Sequence, residues 1–350
     1  MRLIIQPDDG IEPLLEGIRS AKKSIEIVIF RFDRSEIEEA LKSAARRGVF
    51  VHALIAATNR GGEQRLRKLE TRLLAEGITV ARTANDLVRY HYKMIIIDRA
   101  NLYLLGFNYT FLDTAHSRSF GIVTADKDVV NEAVRLFEAD TKRQSYKSEA
   151  DNFIVSPANA RKQLAAFIKE AKEQLLIYDG KLTDPQMLTV LRGRAKAGVE
   201  IKVIGRIAKR SAGITSQKLS RMRQHIRAIV RDGTDVFIGS QSLRKVELDS
   251  RREVGIIIKD AKIAKRITEV FEFDWHSEYD AKESAAEKVT AVAVKEAVKE
   301  AVKEVVKEVV SDFASSNGVD IPEQDLIKKV VKQAVKEAVE QVVEETEPVA

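Results

Sequence analysis

The stretch His91-Tyr92-Lys93-Met94-Ile95-Ile96-Ile97-Asp98 decides the reading of this chain, because its pattern returns further on as His225-Ile226-Arg227-Ala228-Ile229-Val230-Arg231-Asp232. On an extended strand the His and the cation two positions on point to one face, while Tyr92 or Ile226 points to the other. Each copy therefore predicts an imidazole beside a fixed positive charge. The agreement continues downstream: Asn108 and Ser242 stand equally far after their His, and so do Gly121 and Gly255. Two such segments predict one site built from two halves.

The flanking sequence repeats as well. Ile11 to Ser20 reads as a helix, Ser24 to Arg31 as an apolar strand, Ser35 to Arg47 as an amphipathic helix, and the segment from Gly48 as the next strand. The same order recurs later in the chain, with a helix from Ala160 to Lys172, a strand from Gln174 to Tyr178, a helix from Asp184 to Ala197 and a strand from Gly198. Strands alternating with helices predict an α/β sheet covered by helices. The segments leading to each His differ, that from Gly48 to His91 being longer than that from Gly198 to His225. The longer holds Thr58-Asn59-Arg60-Gly61-Gly62 and a charged helix to Glu76, the shorter Lys209-Arg210-Ser211-Ala212-Gly213. These Gly- and Ser-containing loops are expected either to rim the site or to serve as ordinary surface connections.

After Tyr279 the composition changes. Lys295-Glu296-Ala297-Val298 begins a four-residue repeat, and Ser315 to Pro322 should break the helix before a second one from about Glu323 to Glu345. A four-residue period advances about 40° per repeat, so its apolar stripe spirals and argues against a long left-handed coiled coil. The expected units are residues 1–150 and 151–280 as the repeated halves and 281–350 as a helical tail, a candidate for oligomerisation or partner binding.

Charge separates along the same boundary. Residues 281–350 hold 10 Lys against 15 acidic residues, whereas the remainder holds 49 basic against 38 acidic, a net +11 within an overall +6. A basic body suits phosphate-bearing partners, whether nucleic acid or an anionic lipid surface. The absence of Cys excludes disulfides and thiolate ligands and suits a reducing compartment. No signal peptide and no membrane span are expected. These features suggest a cytoplasmic protein with peripheral contact at the inner membrane surface.

His-x-Lys, four residues and Asp, followed by a turn such as Leu105-Gly106-Phe107-Asn108-Tyr109-Thr110 or Gly239-Ser240-Gln241-Ser242, resembles the duplicated signature of the phospholipase D superfamily. The resemblance covers residues 1 to about 280. It implies two repeated α/β/α sandwich halves sharing one site. It further implies that His91 or His225 is the nucleophile and the other the general acid. Lys93, Arg227, Asn108, Ser240 and Ser242 would cradle the phosphate, and Asp98 and Asp232 would complete the signature. The residues themselves leave a strand-end capping or salt-bridge role open for both aspartates. Glu253, within Arg251-Arg252-Glu253-Val254-Gly255, matches the acidic residue that orients a family His. Ser119 holds the equivalent place in the first half, so His91 would lack that carboxylate unless another group supplies it.

A phosphodiester resists attack because its anionic oxygens repel nucleophiles, so a site must offset that charge, supply a nucleophile and protonate the leaving oxygen. Two His, one Lys and one Arg provide all three with no metal or cofactor, one neutral imidazole attacking phosphorus and the other giving its proton. His52, His116 and His276 form no ligand spacing. The expected function is head-group hydrolysis or transfer on a phospholipid through a phosphohistidine. The same chemistry on DNA or RNA and a catalytically impaired phosphate-binding scaffold are the alternatives, since Arg227 replaces Lys and Ser242 replaces Asn.

Overall fold

The computed structural model describes residues 1–57, 63–208, 212–219 and 221–276. The expected tail helices and parts of the two expected loops, 58–62 and 209–211, lie outside the described residues.

The first half runs β1 (Arg2–Gln6), α1 (Glu12–Ser20), β2 (Ser24–Ile29), α2 (Ser35–Arg46), β3 (Phe50–Ile55), α3 (Glu63–Ala75), β4 (Thr79–Arg82), β5 (Arg89–Tyr90), β6 (Lys93–Ile97), β7 (Asn101–Leu105), α4 (Phe111–Ala115), β8 (Ser117–Thr124) and α5 (Lys127–Thr141). The second runs β9 (Phe153–Val155), α6 (Ala160–Lys169), β10 (Gln174–Leu182), α7 (Pro185–Lys196), β11 (Glu200–Ile207), β12 (Ile214–Gln217), β13 (Arg223–Gln224), β14 (Arg227–Arg231), β15 (Asp235–Gly239), α8 (Lys245–Asp249), β16 (Arg251–Arg252), β17 (Val254–Lys259) and α9 (Ala261–Trp275). The first sheet has the order β1-β8-β7-β6-β2-β3-β4 and the second β9-β17-β15-β14-β10-β11-β12. Position by position the two orders are the same, which is the repeat seen in three dimensions.

Local sequence explains the elements. In α2, Ile37, Leu41 and Ala44 are buried at helical spacing, which gives one apolar stripe toward the sheet. Strand β2 is buried on both faces from Ile25 to Ile29, so it reads as an apolar run instead of an alternation. Asp126, Asp184 and Asp260 cap α5, α7 and α9 by accepting their first free backbone amides.

Three apolar cores follow. One lies between the first sheet and α1 to α3, and another between the second sheet and α6 and α7. The third joins the inner faces of both sheets through α5 and α9, with Met94, Ile96 and Phe137 in the same cluster as Val230, Ile256 and Phe271. Two short exchanges stitch the seam: β5 pairs in parallel with β16, and β13 with the start of β8. Each His segment therefore leaves its own half to pair with the other.

Candidate active site

The exchanges bring the signature residues to one seam. The backbone N of His91 donates to Arg252 O at 2.8 Å, and that of His225 to Arg118 O at 3.1 Å. Lys93 begins β6 and its Nζ lies 3.1 Å from His91 Nε2, as same-face placement predicts. Phe30 packs edge-on against the His91 ring with centroids 4.5 Å apart, and Lys93 Nζ lies 5.4 Å from the Phe30 centroid. The turns after β7 and β15 meet closely. A methyl group added at Gly106 would lie 2.8 Å from Phe120 O and 3.3 Å from Gly239 O, so the approach requires glycine there.

The carboxylates correct one expectation. Glu253 contacts His91, with Oε2 3.0 Å from Nδ1, and not the His225 of its own half. The reason is topological: β5 and β16 exchange partners across the seam, and Glu253 immediately follows β16. His225 is served by Asp113, whose Oδ2 lies 2.9 Å from Nδ1, an ion-pair distance off the line of a hydrogen bond. Asp113 also accepts from Arg223 Nη1 at 2.6 Å and from the Asn108 backbone and side-chain nitrogens at 2.7 and 2.8 Å. Sequence reasoning missed Asp113. A signal existed, because Asp113 and Glu247 stand equally far after their His, and each accepts the backbone N–H of Asn108 or Ser242 at 2.7 Å.

Burial sets the charges. His91 is held well below the usual imidazole range by burial, then by Lys93, Arg251, Arg89 and Arg227. His225 is brought down to about 3, by burial first, which outweighs the opposing pull of Asp113, with Arg223 and Arg227 adding to the fall. Burial thus disfavours a charge on either ring. Burial also brings Lys93 down to about 7, against the opposing pull of Glu253 and Asp113. Glu253 is pushed up to about 7 by burial and by Glu247, with Lys93 and Arg251 restraining the rise. Burial alone would raise Asp113, but the His225 ring, Arg223 and the Asn108 amide hold it well below the usual carboxylate range. The two histidines thus face carboxyls of different character, one pushed up to about 7 and one held well below the usual carboxylate range.

The remaining expected residues separate. Arg227 Nε is buried without a hydrogen-bond partner, a donor that a phosphate oxygen would satisfy. Ser240 accepts from Val254 N at 3.1 Å, and the Ser242 hydroxyl donates to Asp179, whose carboxyl also accepts Leu243 N at 2.6 Å. Burial raises the Asp179 carboxyl. Asp98 and Asp232 are absent from the cleft and are corrected to structural roles. Asp98 follows β6 at the end opposite Lys93, roughly 16 Å away at strand rise, and accepts the backbone amides of Lys22, Lys23 and Ser24 at 2.6 to 3.1 Å. Asp232 does the same for Lys172, Glu173 and Gln174 at 2.9 to 3.2 Å. Their partners are amides, not the cations of a salt bridge.

A family model described as cardiolipin synthase, PLD-like domain, matches residues 14–141 and 164–275. The chain belongs to the phospholipase D-like family. This phospholipase D-like chain superposes on polyphosphate kinase from Porphyromonas gingivalis with a TM-score of 0.67 at 20% identity, covering 81% of this chain and 53% of that one. It superposes on phosphatidylserine synthase from Haemophilus influenzae with a TM-score of 0.57 at 10% identity, covering 79% and 86%. These likenesses show the shared fold. In sequence, a curated polyphosphate kinase of Mycolicibacterium gilvum is 26% identical over 265 residues, 68% of this chain but only 36% of the relative's length. Family membership sets the chain among phosphodiesterases and phosphotransferases. Among the described residues no helix is long and apolar enough to cross a membrane.

Proposed function

We propose that this phospholipase D-like protein transfers a phosphoryl or phosphodiester group through a phosphohistidine on His91, without a metal. The supporting observation is the pair of cross-half contacts, Glu253 on His91 Nδ1 and Asp113 on His225 Nδ1. Each contact orients a ring through Nδ1 and leaves Nε2 for substrate.

The asymmetry of the carboxyls supports this division of roles. His91 is neutral, gives its Nδ1 proton to the Glu253 hydrogen bond and keeps a lone pair on Nε2. His225 stands beside Asp113, whose carboxyl is held well below the usual range and favours an imidazolium. The negative charge of an entering phosphate offsets the surrounding cations and draws a proton onto His225. His91 Nε2 then attacks phosphorus, the bond to the leaving oxygen breaks with its electron pair going to that oxygen, and His225 protonates it. In the second step His225 takes a proton from water or an acceptor hydroxyl, whose oxygen displaces His91 from phosphorus.

A chain of linked phosphates is the favoured substrate. Lys93, Arg31, Arg89, Arg227 and Arg251 all bear electrostatically on His91 or Lys93, more positive charge than a single phosphodiester requires, and the curated relatives are named polyphosphate kinases. A phospholipid head group, the substrate expected from sequence, is the second reading. Val88 and Phe111, 61% and 40% exposed, stand beside the His91 and Asp113 segments, where they suit contact with acyl chains. The test is intact-protein mass after brief mixing, in EDTA, with polyphosphate, mixed phospholipid vesicles or a short oligonucleotide. Wild type should gain an adduct that His91→Ala lacks, and its mass identifies the donor. An adduct retained in His91→Ala, or none from any donor, removes the proposal.

A further inference from the structure

The arginines whose carbonyls hold the two histidines also make buried ion pairs across the seam. Arg252 Nη2 lies 3.0 Å from Asp140 Oδ1. Arg118 lies 3.0 Å from Asp274 Oδ2 through Nε and 3.2 Å from Oδ1 through Nη2. All four side chains are buried. The pairs are repeat equivalents: the interval from Arg118 to Arg252 and that from Asp140 to Asp274 both equal the interval from His91 to His225. A tyrosine completes each: Tyr92 donates to Asp140 Oδ2 at 2.8 Å, and Tyr178 to Asp274 Oδ2 at 2.7 Å.

Around His91 these contacts close a ring. The His91 amide holds Arg252 O, the Arg252 guanidinium holds Asp140, Asp140 holds the Tyr92 hydroxyl, and Tyr92 is the next residue after His91. Around His225 the ring is open, because Ile226 stands in place of Tyr92 and the tyrosine comes from β10 instead. An apolar seam of the same volume would cost less to desolvate than buried charges. It would also lack direction, whereas the charged hydrogen bonds of Arg118 to Asp274 fix both distance and angle, and the Asp140 carboxyl, at ion-pair distance from Arg252, is oriented by the Tyr92 hydrogen bond.

We infer that Arg252 with Asp140, and Arg118 with Asp274, are positioning residues, each pair setting the backbone from which one histidine reaches the cleft. The inference rests on the reading that His91 and His225 act on one phosphorus, where a displacement of about 1 Å costs on the order of 100-fold in rate. Each pair governs one histidine, so the two can be disturbed separately.

The experiment uses the full chain labelled with 15N-histidine, comparing wild type with Asp140→Asn, Tyr92→Phe, Asp274→Asn and Arg252→Lys. Side-chain NMR of the ligand-free protein should show the His91 ring signals moved by Asp140→Asn and Tyr92→Phe while those of His225 stay in place. Asp274→Asn should do the reverse, and Arg252→Lys should move His91 less than Asp140→Asn does. With bis(4-nitrophenyl) phosphate as probe, kcat should fall about 10- to 100-fold in Asp140→Asn with KM within about threefold. A folded Asp140→Asn protein with His91 signals and kcat of wild type overturns the inference. Equal movement of both histidines in every variant also overturns it, since that marks a general loosening of the seam. Should Asp140→Asn fail to fold, Arg252→Lys, which keeps the charge but changes the donor geometry, gives the reading, and His91 signals of wild type there overturn the inference. The NMR needs no turnover, so an inactive wild type would count against the proposed chemistry alone.

Discussion

Lys93 and Glu253 are both brought to about 7, from opposite sides, by burial in the cleft. Below that value Glu253 gains a proton and stops serving as a charged acceptor for His91 Nδ1. Above it Lys93 loses the charge proposed to draw phosphate. The free enzyme should therefore show a narrow bell in kcat/KM centred near pH 7, with limbs that belong to the coupled set and not to single residues. Arginine does not deprotonate in this range, so Lys93→Arg should lower kcat/KM by roughly tenfold yet remove the alkaline limb; an unchanged alkaline limb would falsify its assignment to Lys93. His91, Lys93, His225 and Arg227 were legible in the sequence because period-two alternation, repeated at a constant offset, is a local signal, whereas Glu253 came only from the family resemblance. The pairing of Glu253 with His91 was not legible, because it depends on which half each short strand visits, and Asp113 acquires its role only when α4 is folded against the other half.

At the level of elements, the alternation of strand and helix was readable to within a few positions. The helix expected over Ile11 to Ser20 spans Glu12–Ser20, and that expected over Ser35 to Arg47 spans Ser35–Arg46. The two-residue strands β5, β13 and β16 were invisible, since so short a run carries no period and their partners lie in the opposite half of the chain. Asp98 shows how a signature residue can belong to an element instead of to the chemistry. Its left-handed backbone, φ 54°, turns the carboxylate onto three amides that lead into β2. Asp98→Ala should cost about 1–2 kcal/mol, because the amides it leaves can still reach water, and should leave kcat within about twofold. Burial pushes this carboxyl up, but the three amides outweigh it and lower it. Its contribution is thus present above the unfolded value of about 3.9 and is lost as pH falls through the lower folded value. Thermal unfolding of wild type and Asp98→Ala should accordingly differ at pH 7 and converge in strong acid; a constant difference down to acid would assign the effect to backbone strain.

Across the whole molecule, the apolar cluster that joins the inner faces of both sheets has a thermodynamic consequence. Neither half can expose its share of that core without exposing the other's, so the described body should unfold in one transition despite its internal repeat. A ligand held between the halves stabilises both at once by mass action. At about 100 times its Kd it should contribute about 2.7 kcal/mol, which for a body of this size corresponds to roughly 5 °C in Tm. Short-chain polyphosphate should produce that shift in calorimetry as a displacement of the single peak. Added salt should shrink the shift, because the attraction comes from clustered cations and is screened. His91→Ala should keep most of it, since the cation cluster that draws the chain is left in place. Two separate transitions, with polyphosphate moving only one, would mean that the halves fold apart and that the cleft belongs to one of them, which would undo both the shared core and the shared site.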